Sequence, residues 1–108
     1  VSDVFVVLVT APNIGAASGL ARALVDERLA ACVGILPSIT SVFRWEGQTK
    51  TATENQLVIK TSAGRVEELV ARVKALHPYD VPEILALPVA AGLPAYLQWV
   101  VAETTKPA

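Results

Sequence analysis

Ala-Cys-Val-Gly-Ile-Leu-Pro-Ser-Ile-Thr-Ser-Val-Phe-Arg-Trp-Glu-Gly-Gln-Thr-Lys-Thr-Ala-Thr-Glu-Asn-Gln-Leu-Val-Ile-Lys-Thr, residues 31–61, reads as two strands folded back on each other. The first opens at Ala31-Cys32-Val33-Gly34-Ile35-Leu36, is interrupted by Pro37, and continues from Ile39 to Glu46. The second runs from Thr49 to Thr61 and is strongest at Leu57-Val58-Ile59. β-Branched and aromatic residues favour both runs, and Glu46-Gly47-Gln48 supplies the tight turn between them. At about 3.3 Å per residue the first strand would be roughly 50 Å long, against a radius of gyration near 13 Å for a domain of this size. The hairpin must bend, most naturally at Pro37, or project as an arm. A projecting arm rich in Val, Ile, Phe and Trp aggregates unless a partner covers it. Phe43 and Trp45 are therefore expected to be interface anchors.

The flanking chain places this hairpin in a repeated plan. Val4 to Thr10 is a β-branched run suited to a buried strand. Asn13 suits a helix N-cap, and Ile14, Ala17, Leu20, Ala21, Leu24, Val25 and Leu29 follow helical spacing. After the hairpin, Ser62 can cap a second helix whose apolar positions are Val66, Leu69, Val70, Val73 and Leu76. Glu83 to Val89 predicts a short strand. Pro94 suits the first turn of a last helix, carrying Leu93, Tyr96, Leu97, Val100 and Val101. Residues 4–46 and 55–89 thus each read as βαβ. This is the α+β, ferredoxin-like βαββαβ sandwich, with a long projecting hairpin and an extra C-terminal helix. Residues 1–108 are expected to form one domain, with 104–108 as a flexible tail.

Composition points to assembly. Hydrophobic residues make up 53% and charged ones 18%, with a mean hydropathy of +0.49. So small a chain should need more polar surface, and the surplus implies a subunit interface. A net charge of −1 and a pI near 5.8 give no basic field for nucleic acid. The long apolar stretch from Ile84 to Ala102 is broken by Pro88, Gly92 and Pro94, which argues against a membrane span. Cys32, the one cysteine, can form neither an intrachain disulfide nor a CxxC zinc motif. The expected location is cytoplasmic.

Chemistry concentrates in His77-Pro78-Tyr79-Asp80-Val81-Pro82-Glu83, which holds the only histidine. Each proline pushes its predecessor toward extended backbone, so the second helix must end near His77. His77 can bind a metal or exchange a proton, or simply close the helix against its last carbonyls. Asp80 suits turn chemistry. Glu83, starting a strand in apolar surroundings, needs a partner, and Lys60 is the natural candidate. A ligand cluster of Lys60, His77, Tyr79 and Glu83 stands beside the alternative of a structural ion pair at a subunit seam.

Val9-Thr10-Ala11-Pro12, Leu29-Ala30-Ala31-Cys32-Val33, Ile39-Thr40-Ser41, Trp45-Glu46-Gly47, Ile59-Lys60-Thr61, His77-Pro78-Tyr79, Val81-Pro82-Glu83 and Tyr96-Leu97-Gln98-Trp99 occur in the order seen in the CutA family of divalent cation tolerance proteins, which this chain resembles over essentially its whole length. The resemblance implies a tight homotrimer, similar in architecture to the PII signalling proteins, with ligands in inter-subunit clefts. It also implies a link to copper or another divalent cation. At the family's proposed copper-ligand positions this chain carries Val9, Leu76 and His77, so two of three ligands are missing. Cys32 and Glu83 are the available substitutes beside His77. The expected function is a non-catalytic trimer in divalent cation tolerance that binds a metal ion or small effector between subunits. The alternatives are a purely structural or signalling scaffold, and an enzyme using His77 as acid/base.

Overall fold

The computed structural model describes residues 2–106. Four strands and three helices follow the expected order: β1 (Val4–Ala11), α1 (Ile14–Asp26), β2 (Cys32–Trp45), β3 (Gln48–Ser62), α2 (Val66–Leu76), β4 (Ile84–Pro88) and α3 (Pro94–Glu103). A 3-10 turn, Ala63–Arg65, leads into α2. The sheet order is β2-β3-β1-β4, antiparallel throughout. This is the ferredoxin-like arrangement.

The core lies between one sheet face and helices α1 and α2. Val7, Val9, Leu57 and Ile59 from the strands meet Ala17, Leu20, Leu24, Leu69 and Val73 from the helices, all buried. Each such aliphatic side chain contributes roughly 1.5–3 kcal/mol relative to exposure. The buried stripe is narrower than the apolar pattern suggested, since Ile14, Val25 and Leu76 are exposed. Asn13 caps α1 as expected, its Oδ1 accepting from the Ala16 N–H at 2.8 Å. Ser62 does not cap α2. Its side chain makes no cap bond, and its Oγ accepts instead from the Thr104 hydroxyl at 2.8 Å.

The hairpin neither folds over nor loses its strand at Pro37. β2 runs through all 14 residues, about 43 Å at about 3.3 Å per step, and the molecule measures 44 Å along its longest axis. Leu36 pairs with Gln56 and Ile39 with Glu54, so Pro37 and Ser38 together face Asn55. This is a β-bulge. A bulge tolerates proline because no ladder N–H is needed there, and Ser38 takes φ 55°. At the tip Glu46 (φ 49°) and Gly47 (φ 76°) form a two-residue loop between paired Trp45 and Gln48. Positive φ at both positions is the type I′ turn that matches strand twist.

The outer sheet face is covered only at one end. Register puts Val6, Leu8, Val58, Leu85 and Leu87 on it, and Leu85 and Leu87 are 55% and 46% exposed. α3 packs where Val4, Cys32, Lys60 and Ser62 lie, burying Val100 completely. Although apolar on nearly every side, α3 leaves Leu93, Tyr96, Trp99 and Val101 exposed. The tail expected from residue 104 begins at a packed residue. Thr104 is fully buried, and its hydroxyl donates to the Val100 carbonyl at 2.7 Å or reaches Ser62. Residues 107 and 108 of that tail lie outside the described residues.

Candidate functional site

The turn after α2 is pinned from three directions. His77 ends the helix with its backbone N–H on the Val73 carbonyl at 2.8 Å and takes the extended conformation that Pro78 requires (φ −76°, ψ 138°). Its Nε2 lies 2.7 Å from the Thr10 carbonyl, and its Nδ1 accepts from the Tyr79 backbone N–H at 3.0 Å. A carbonyl can only accept and an amide N–H can only donate. His77 is therefore the Nε2–H tautomer with both ring nitrogens in use. The Lys74 ammonium adds a third tie, donating to the Asp80 carbonyl at 2.6 Å.

What this turn presents is Tyr79. Its hydroxyl donates to Glu54 Oε2 at 3.0 Å. Burial, and then the hydrogen bond and charge of Glu54, raise the Tyr79 phenol above its ordinary pKa. Glu54 comes from β3 just beyond the bulge and is 8% exposed. Its Oε1 accepts no hydrogen bond and is open to a groove of about 820 Å³ that runs between the hairpin arm and the 79–83 turn. Phe43, Trp45, Lys50, Asp80 and Glu83 also line it.

The bulge decides which arm residues reach this groove. Up to Leu36, the even-numbered residues of β2 share the outer face with the even residues of β3; after it, the odd ones do. The extra residue thus puts Ser41, Phe43 and Trp45 on the same face as Glu54, Ala52 and Lys50, since a one-residue slip exchanges the faces of a strand.

The expected ligand cluster is brought together only in part. Tyr79 and Glu83 line the groove, and His77 supports it from behind. Lys60 does not pair with Glu83. Its Nζ lies over Gly34, 3.8 Å from where a Cβ would stand, while Glu83 is exposed and reached by Gln56 Nε2 at 3.5 Å. The three substitute metal ligands do not converge either. Cys32 pairs with Lys60, whereas His77 holds Thr10, the partner of Gln56. Those sites on β3 are four residues apart, about 13 Å. The Cys32 thiol instead sits 3.7 Å from the Tyr96 hydroxyl, a contact that with burial raises the Tyr96 phenol. Among the described residues no three His, Cys, Asp or Glu side chains could hold a metal ion. Val9 is fully buried in the core.

Glu54 escaped the sequence reading. The available signal was Glu54-Asn55-Gln56, three polar residues inside a strand, which mark both the bulge partner and the groove floor.

The sequence profile of the CutA1 divalent ion tolerance protein matches residues 5–103. The chain belongs to the CutA family. A divalent-cation tolerance protein CutA from Thermus thermophilus is 52% identical over 94 residues, 87% of this chain and 91% of the relative. The chloroplastic CutA of Arabidopsis thaliana is 49% identical over 87% of this chain, which spans about half (52%) of that longer protein. The crystal structure of CutA from Xylella fastidiosa superposes with a TM-score of 0.93 at 47% identity, covering 95% of this chain and 99% of that one. CutA membership carries the association with divalent cation tolerance. No helix among the described residues is long and apolar enough to cross a membrane.

Proposed function

We propose that this CutA protein is a non-catalytic homotrimer that acts in cation tolerance by binding a small ligand in the groove between its hairpin arm and the 79–83 turn, with a neighbouring subunit closing the cleft. The observation that carries this reading is Glu54: a carboxylate nine-tenths buried, held by Tyr79, with one oxygen turned into open space. The oxygen facing the groove can accept a hydrogen bond from a ligand that enters it. The exposed apolar outer face, α3 and the arm support assembly, because such contiguous apolar surface marks an interface. An acid/base role for His77 lacks support, since neither ring nitrogen is available to a substrate. Among the described residues copper finds no gathered ligand set.

Light scattering at micromolar concentration should give a trimer mass, and a monomer would overturn the assembly. Trp45→Ala should shift that trimer toward smaller species, with a cost of about 2 kcal/mol for an interface anchor.

A further inference from the structure

We infer that the ligand of this groove is a small organic cation, an ammonium or quaternary ammonium group on a short carbon chain, rather than a bare metal ion or an anion. The inference rests on the groove being the ligand site, as proposed above, and narrows the chemistry of what enters it.

Charge argues first. Three carboxylates, Glu54, Asp80 and Glu83, line the groove against one ammonium, Lys50. The deepest of them, Glu54, has an oxygen without a hydrogen bond, and no basic side chain among the described residues pairs with it or with Glu83. An incoming N–H donor completes the Glu54 carboxylate with a charge-assisted bond. An anion would add like charge beside a buried carboxylate.

Shape separates organic cations from metals. A hard divalent ion needs several oxygen donors converging at about 2–2.6 Å, and no such group exists among the described residues. The groove, about 820 Å³, has the size of a small-molecule site. Its walls include the rings of Phe43, Trp45 and Tyr79. Aromatic faces attract cations, Trp most strongly. The bulge at Pro37-Ser38 places Phe43 and Trp45 on Glu54's face. Carboxylates at the floor and rings along the arm form one continuous recognition surface for a charged head on an apolar chain.

The test is calorimetric titration of the intact protein with 1,4-diaminobutane, tetramethylammonium, copper(II) and succinate in turn, repeated on Glu83→Gln and Glu54→Gln. The amines should bind once per chain with a Kd below about 1 mM. Glu83→Gln, exposed and neutral to folding, should weaken them about tenfold, and Glu54→Gln further. If Glu54→Gln fails to fold, Glu83→Gln carries the decision. Copper or succinate binding that Glu83→Gln changes, with the amines silent, would keep the groove as the ligand site and overturn the organic cation. Amine binding indifferent to both variants would overturn the cation's placement in the groove. Silence from every probe would overturn this inference and the groove reading together.

Discussion

The two halves of the long hairpin are made from similar residues and meet opposite fates. At its base, Leu57 and Ile59 are fully buried, and Val33 and Ile35 pack against the same core. Beyond the bulge, Val42, Phe43 and Trp45 are 66%, 40% and 48% exposed. The base is covered by α1 and α2, whereas Val42, Phe43 and Trp45 of the arm stay open to solvent in the single chain. Hydrophobicity alone therefore does not tell covered from exposed positions; place along the strand does. The base belongs to the fold of one chain, and we propose that the arm serves assembly.

If that division is right, damage to the two halves should separate. Leu57→Ala should cost about 2–5 kcal/mol of unfolding free energy, the range for deleting a buried leucine. Denaturant melts would read it, and a loss under 1 kcal/mol would mean that the base is less tightly packed than its burial indicates. Deleting Thr40, beyond the bulge, should slip the rest of the arm by one residue and turn Val42 and Arg44 onto the groove face in place of Phe43 and Trp45. The expected result is a chain that folds at its base but assembles poorly, with a loss of about 2 kcal/mol in association. Sedimentation alongside circular dichroism would detect this, and unchanged assembly would show that the face carrying Phe43 and Trp45 does not direct it.

The smallest effect sharpens the seam between the halves, where Tyr79 holds Glu54. Tyr79→Phe should cost about 1 kcal/mol near neutral pH through the lost hydrogen bond. The native Tyr79 pKa is raised above that of the unfolded chain. Its contribution is thus fully present below about pH 10 and is lost as pH rises through the native value. Tm measured from pH 8 upward should fall less steeply in Tyr79→Phe than in the parent. Parallel curves would mean that the phenol is not coupled to folding.

Much of this architecture was legible in residue order. The Val4–Thr10 run, the Asn13 cap, the Glu46-Gly47 turn and the prolines after His77 each express a local backbone preference, which needs no tertiary context. Site chemistry was less legible because it depends on pairing. His77 looked available as a metal ligand, yet Thr10, 67 positions away, occupies one of its nitrogens. Lys60 and Glu83 look like natural partners by charge, but the sheet sets them apart and gives Glu83 to Gln56.

By itself, then, the sequence determined the order and kind of elements, the ferredoxin-like topology, the surplus of apolar surface and the family. Periodicity, capping and turn preferences act over a few residues and survive reading in one dimension. Only the tertiary structure decided that Glu54 is the groove's floor, that Phe43 and Trp45 share its face, and that His77 is a support for Tyr79. Those facts depend on a two-against-one register at Pro37-Ser38 and Asn55, and register is set by how distant strands pair.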